Sequence, residues 1–311
     1  MTARLLVVGE ALVDVVLTAD GARTEHPGGS PLNVAVAASR LGVPCTLAAQ
    51  LGADGRGELI RRHVEASDVR VQALPPVAAT GTATARLDSD GAATYDFEIT
   101  WAPETVPDPE SYAAVHTGSI ALALAPGSDR VLELLARARE LGVPTTVDPN
   151  VRLAITPDVS TVRTVVDQAI RLAWGVKLSD EDADVLMPGL SAERVLDEIL
   201  AAGPALVALT RGSAPMLFGS GKARAEVAAP ATRVADTIGA GDTAMGAMLA
   251  TCWDRGWLGA ASLDDEQLAA VGQVAVEAAA ITCSRPGADP PWLAEMSSGL
   301  HAQVASPSAA G

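Results

Sequence analysis

Short apolar runs alternate with helix-forming segments along most of this chain, and few folds accept that order. Leu5 to Gly9, Leu47 to Gly52, Ala113 to Ile120, Pro144 to Val147, Trp174 to Leu178 and Ala205 to Leu209 are brief and continuously apolar. They read as strands buried on both faces, the mark of a parallel sheet. Helical patterns fall between them: an alanine-rich stretch opening at Ser30 and Pro31 and stopping at Gly42, then Glu58 to Ala66, Ser128 to Leu141 closed by Gly142, and Leu268 to Thr282. Ser30 and Pro31 look like an N-cap and first-turn pair. The alternation predicts an α/β fold, doubly wound, with a mostly parallel central sheet and helices on both faces. Thr80 to Leu87 and Ala92 to Ile99, joined across Asp88 to Gly91, interrupt it with a hairpin signal. A chain of 311 residues, 49% of them apolar, suits one large α/β domain over 1–311 with a small appendage. The small and polar residues 301–311 read as a mobile tail.

Charge and composition remove several functions. The formal net charge is -16 and aromatic residues make up 3% of the chain, so it has neither the basic footprint nor the stacking platforms of a nucleic-acid binder. Cys45, Cys252 and Cys283 are scattered without metal-ligand spacing and read as free thiols in a reducing compartment. No two of the four histidines stand four residues apart, which leaves a zinc site unsupported. No apolar stretch approaches a membrane span and the first strand begins at once, so the expected location is cytoplasmic.

Chemistry concentrates in three places. In Val234 to Gly246, Gly239 and Gly241 free the backbone to turn, and Met245, Met248 and Leu249 mark the buried stripe of a helix starting near Gly241. The N–H groups of Gly239, Ala240 and Gly241 can then converge on an anion at a helix N-terminus, with Asp242 placed beside them. Plain helix capping is the other reading of Asp242. The second place is Pro27 to Gly42, where Gly28 and Gly29 precede a helix whose first turn carries Asn33. The third is Asp14, isolated among apolar neighbours in a run, Glu10 to Leu17, that continues the first strand; it must bond internally, face a cleft or sit in a solvated turn. Two lookalikes carry less weight. Gly239-x-Gly241-x-x-Ala244 fits a dinucleotide fingerprint but falls late in the chain, and Gly219 to Ala223 lacks the first glycine and the hydroxyl of a P-loop.

Asp236-Thr237-Ile238-Gly239-Ala240-Gly241-Asp242 and Gly28-Gly29-x-x-x-Asn33-x-Ala35 resemble the two signatures of the ribokinase-like (PfkB) family of carbohydrate kinases, in the expected order. The resemblance runs from Asp14 to Gly287. It implies a small β-sheet lid, from about 11–26 and 78–101, over a sugar pocket. Asp242 would be the catalytic base and Gly239, Ala240 and Gly241 the cradle for the phosphoryl group. Asp14, Gly28, Gly29 and Asn33 would hold the sugar hydroxyls. Such a base is worth roughly 10² to 10⁴ in rate and each donor to the developing charge about 10² to 10³. Phosphoryl transfer asks mainly for positioning, so ATP with Mg2+ completes the chemistry.

Other stretches carry the resemblance further. Asp148-Pro149-Asn150-Val151-Arg152 and Lys177-Leu178-Ser179-Asp180-Glu181 are similar to fructokinase-like members, with Arg152 against substrate or phosphate, or else facing solvent tied to Asp148. Lys177, Ser179, Thr210 and Gly212 would border the nucleotide. The family's Asn-x-x-Glu is Ser179-x-x-Asp182 here, so Asp182 either serves Mg2+ through water or complements a helix dipole. Asp236 and Ile238 would share a monovalent cation, K+, with the region of Arg285 to Ala288. Many fructokinase-like and ketodeoxygluconate-kinase-like relatives carry an aromatic-Tyr-Arg element in the second lid strand, whereas this chain has Tyr95-Asp96-Phe97-Glu98-Ile99; an anionic sugar thereby loses its most obvious partner, which favours a neutral ketohexose. The expected partners are a small sugar and ATP, with neither nucleic acid nor membrane, and a homodimer through the lid is compatible with the sequence. A kinase for 2-keto-3-deoxygluconate, ribose or a nucleoside, the last with Trp101 stacking on a base, and a non-catalytic sugar or nucleotide sensor are the competing readings.

Overall fold

The computed structural model describes residues 3–297 except 19, 88–92 and 157, so the expected turn at Asp88 to Gly91 and the tail at 301–311 lie outside the described residues. In chain order the elements are β1 (Leu5–Val8), β2 (Leu12–Leu17), β3 (Arg23–Gly28), α1 (Ser30–Arg40), β4 (Cys45–Ala49), α2 (Gly55–Glu65), β5 (Arg70–Ala73), β6 (Thr82–Leu87) and β7 (Ala93–Glu98). Then follow β8 (Ala114–Gly118), α3 (Ile120–Ala123), α4 (Gly127–Leu141), β9 (Thr145–Asp148), α5 (Val159–Leu172), β10 (Gly175–Ser179), α6 (Asp180–Leu186) and α7 (Ala192–Ala202). The chain closes with β11 (Leu206–Arg211), β12 (Ala214–Ser220), β13 (Ala223–Val227), α8 (Ala240–Asp254) and α9 (Asp265–Cys283).

The large sheet has the order β13-β12-β11-β10-β9-β8-β1-β4-β5. From β11 to β5 every neighbouring pair is parallel, and only β12 and β13 run antiparallel, at one edge. Strand side chains alternate between faces, so Leu5 and Val7 enter one core with α1, α8 and α9, while Leu6 and Val8 enter another with α4, α5 and α7. Burial on both faces is why these strands are apolar throughout. A separate sheet, β3-β2-β6-β7, is antiparallel except where β2 and β6 pair in parallel.

Residues 10–17 do not extend the first strand, as the apolar run suggests. Pairing in the large sheet ends where Gly9 N–H donates to Ala48 O (3.2 Å), and pairing in the small sheet begins where Val13 N–H donates to Gly81 O (2.9 Å). A Cβ on Gly9 would come within 2.4 Å of Pro31, so the chain can leave the large sheet here only as glycine. Asp14 therefore sits in the middle of a strand of the small sheet. β3 has no apolar alternation and exists through its ladder with β2. Helix α2 begins at Gly55 rather than Glu58, because Asp54 caps it by accepting from Gly57 N–H. Helices α1 and α8 pack closely because Gly246 has no side chain; a Cβ there would lie 2.6 Å from that of Ala37.

Candidate active site

The packing of α1 on α8 brings the two glycine segments together at their N-termini. Ser30 Oγ donates to Asp242 Oδ1 (2.6 Å) and Asn33 Nδ2 donates to Asp242 Oδ2 (2.8 Å). Ser30 is thus not the N-cap of α1. That position belongs to Gly29, at φ 107, where a Cβ would meet Glu10 O at 2.8 Å, and Ser30 spends its hydroxyl on Asp242. Nor does Asp242 cap α8: Gly239, in the left-handed region at φ 74, holds the cap position and no side chain bonds the first turn. The N–H of Ala240 is turned onto Thr237 O (3.2 Å). Among the described residues the N–H groups of Gly239, Gly241 and Asp242 have no acceptor, so three donors at a helix N-terminus remain for an anion.

Behind this turn lies a buried charge pair. Lys177 Nζ is 2.9 Å from Asp148 Oδ2, with both side chains almost fully enclosed, and it would stand 3.5 Å from a Cβ built on Gly241. Burial alone would lower the Lys177 ammonium, but the carboxylates of Asp148, Asp182 and Asp242 together hold it above the ordinary lysine range. Burial pushes the Asp148 carboxyl up to about 6, against the pull of Lys177. Neither Asp148 oxygen has a well-aligned hydrogen-bond donor among the described residues, so its compensation is the lysine charge. Arg152 is not tied to Asp148; it is exposed and, among the described residues, its side chain donates only to Val151 O (3.3 Å). Asp182 is buried and forms a capping box with Ser179 at the start of α6. Its Oδ2 accepts from Ser179 N–H (3.0 Å) and its Oδ1 from Val151 N–H (2.7 Å), which pins the loop after β9.

Asp14 stands on β2 of the small sheet, half-buried. Burial raises its carboxyl to about 6, with His26 lowering it and Asp242 adding to the rise. Its carboxylate leans over Gly28, where a Cβ would fall 2.0 Å from Oδ2. No donor reaches it among the described residues, which leaves a half-buried acceptor open to a ligand. Glu10 is a group the sequence did not single out, because it lies in an apolar run with no motif around it. It is buried, accepts from Ala121 N–H (3.2 Å), and burial raises its carboxyl to about 7. His116 is likewise hidden: its Nδ1 is 3.0 Å from Thr146 Oγ1, and burial lowers it to about 3, so it is neutral.

The remaining sequence candidates each have contacts of their own. Asp236 accepts from Ile238 N–H (3.1 Å) and Gly287 N–H (2.9 Å), tying the loop before α8 to the segment after α9, and Ile238 itself is 57% exposed. Thr210 Oγ1 donates to Leu178 O (3.4 Å), and Gly212 makes the turn after β11 at φ 53. Trp101 cannot stack on a base. It is 2% exposed and packs on Gly127.

A nine-stranded, mostly parallel sheet with a detached four-stranded sheet is the ribokinase-like architecture, and solved structures agree. The Vibrio cholerae O395 fructokinase in its fructose, ADP and calcium ion bound form superposes with a TM-score of 0.80 at 25% identity, covering 97% of this chain and 99% of that one. The Xylella fastidiosa fructokinase with bound ATP gives 0.80 at 24% identity, over 92% and 93%. In sequence the chain is 29% identical to the fructokinase of Klebsiella pneumoniae over 265 residues, 80% of this chain and 84% of that protein. It is 29% identical to the probable fructokinase-4 of Arabidopsis thaliana over 304 residues, 91% of each. The profile of the pfkB family carbohydrate kinases matches residues 2–295, and the chain belongs to that family. It is an ATP-dependent sugar kinase. Among the described residues no helix is long and apolar enough to cross a membrane.

Proposed function

We propose that this kinase phosphorylates a hydroxyl of a neutral ketohexose such as fructose, with Asp242 as the general base. The observation that carries the reading is the clamp on Asp242: a buried carboxylate fixed by Ser30 and Asn33 beside three unused N–H donors. In the proposed step the sugar hydroxyl gives its proton to Asp242 as its oxygen bonds the γ-phosphorus. The bond from that phosphorus to the bridging oxygen breaks, and ADP leaves with the electron pair. The amides of Gly239 and Gly241, backed by Lys177, face the charge that develops on the phosphoryl oxygens. Asp14, with Gly28, Gly29 and Asn33, holds the sugar so that its hydroxyl lies in line.

A bound magnesium would supply charge neutralisation on the phosphates. Asp182 fits a water-mediated contact to it, since each oxygen bonded to a main-chain N–H retains a lone pair. The loop pinned by Asp236 is suited to a monovalent cation held by carbonyls, and Thr210 and Gly212 would border the nucleotide. The fructokinase relatives and the lack of arginine in β7 support a neutral ketose over an anionic sugar.

A panel of sugars and nucleosides scored for ADP release tests the proposal. Fructose should be turned over with the highest kcat/KM; preferential turnover of a nucleoside or a sugar acid, or binding without turnover, would overturn it. The same assay without magnesium, and with potassium exchanged for a bulky organic cation, reports the two ions.

A further inference from the structure

The lid carries a second polar group on the face that bears Asp14. In the antiparallel β2–β3 ladder Asp14 stands directly opposite His26, so both side chains leave the same face with Cβ atoms about 5 Å apart. The opposite face is taken up by packing. Val13 and Val15 are buried in the core that includes Leu59 and Ile60, and Glu25 meets Arg56 of α2 at 3.0 Å. Asp14 and His26 therefore look away from α2. Asp14 leans over Gly28, one residue before the Gly29 cap of the helix whose Ser30 and Asn33 hold Asp242, which puts this face on the side of that carboxylate. The imidazole is close enough to lower the Asp14 carboxyl against its burial. It is exposed and has no hydrogen bond or ion pair among the described residues.

We propose that His26 is a specificity-determining residue, its ring nitrogen binding the sugar hydroxyl adjacent to the one held by Asp14, so that the β2–β3 ladder reads a vicinal diol. A carboxylate accepts from one hydroxyl, while the imidazole can donate to or accept from its neighbour. A sugar lacking either hydroxyl leaves one of these groups unpaired, which discriminates more strongly than pocket size does. The inference rests on Asp14 as a sugar ligand.

Initial-rate kinetics of His26→Ala and His26→Gln, on fructose and on a set of monodeoxy ketohexoses, test it. His26→Ala should raise the fructose KM about tenfold, with the loss appearing there rather than in the ATP KM or kcat, and His26→Gln should restore part of it. For one deoxy sugar, the one lacking the contacted hydroxyl, His26→Ala should add no further loss. An unchanged fructose KM, or the same added loss on every deoxy sugar, would overturn the assignment. Asp14→Asn separates the two levels. If it raises the sugar KM while His26→Ala does not, only this inference fails, and if it leaves the sugar KM unchanged the underlying placement of the sugar fails.

Discussion

Replacing Gly28 by alanine isolates the sugar-holding role of Asp14 without touching a reacting group. Gly28 ends β3 in ordinary extended backbone, so an alanine costs nothing in conformation there. Its methyl group, however, would lie 2.0 Å from Asp14 Oδ2 and 2.9 Å from Cγ. Non-bonded contacts settle near 3.5 Å, so the carboxylate must retreat by more than about 1 Å. A hydrogen bond to a charged group contributes about 1.5–3 kcal/mol, and losing one between Asp14 and the sugar raises its KM by about 10- to 150-fold. Nothing in the displacement reaches Lys177 or the α8 turn, so the ATP KM should stay within about twofold of wild type. The assay is initial-rate kinetics with the sugar varied at saturating ATP, beside a thermal melt to show that the variant folds. Gly28→Ala combined with Asp14→Asn should be no worse than Asp14→Asn alone, because both act on one contact. A folded Gly28→Ala enzyme with the wild-type sugar KM would refute the placement of the sugar against Asp14.

Asp242→Asn should lower kcat by roughly 10² to 10⁴ while calorimetry still detects nucleotide and sugar, because the Ser30 hydroxyl and the Asn33 amide can reorient to an amide partner. The Asp14 carboxyl, raised to about 6, is an ionised acceptor above that pH and a protonated one below it. The sugar KM should therefore climb about tenfold between pH 7 and pH 5, and a flat profile would count against Asp14. Lys177→Met leaves Asp148 buried without its counter-charge and should cost about 3–5 kcal/mol in urea unfolding, of which Lys177→Met with Asp148→Asn recovers a large part.

Much of this fold was written in local pattern. The apolar runs at Leu5, Leu47, Ala113 and Trp174 all became strands of one parallel sheet because nothing but burial on both faces accounts for them. The two glycine segments meet where Ser30 and Asn33 donate to Asp242. The lid was harder. Residues 10–17 look like one strand because apolar periodicity does not report a change of sheet, and Arg23 to Gly28 show no strand alternation because an edge strand can be held by its backbone alone. Glu10 and His116 escaped notice for a similar reason: a buried polar side chain within an apolar run is invisible until its surroundings are known. Ser30 and Asp242 each resembled a helix cap, and only the contact between them, across two distant helices, shows that neither is one.

The seam at Gly246 governs how the two halves of the candidate site are spaced. Because a bare backbone there lets one helix nestle against Ala37 of the other, the helix starts that carry Asn33 and Asp242 are held as a single piece. In the proposed reaction, alignment between attacking oxygen and phosphorus would then be settled when the chain folds, not at each turnover.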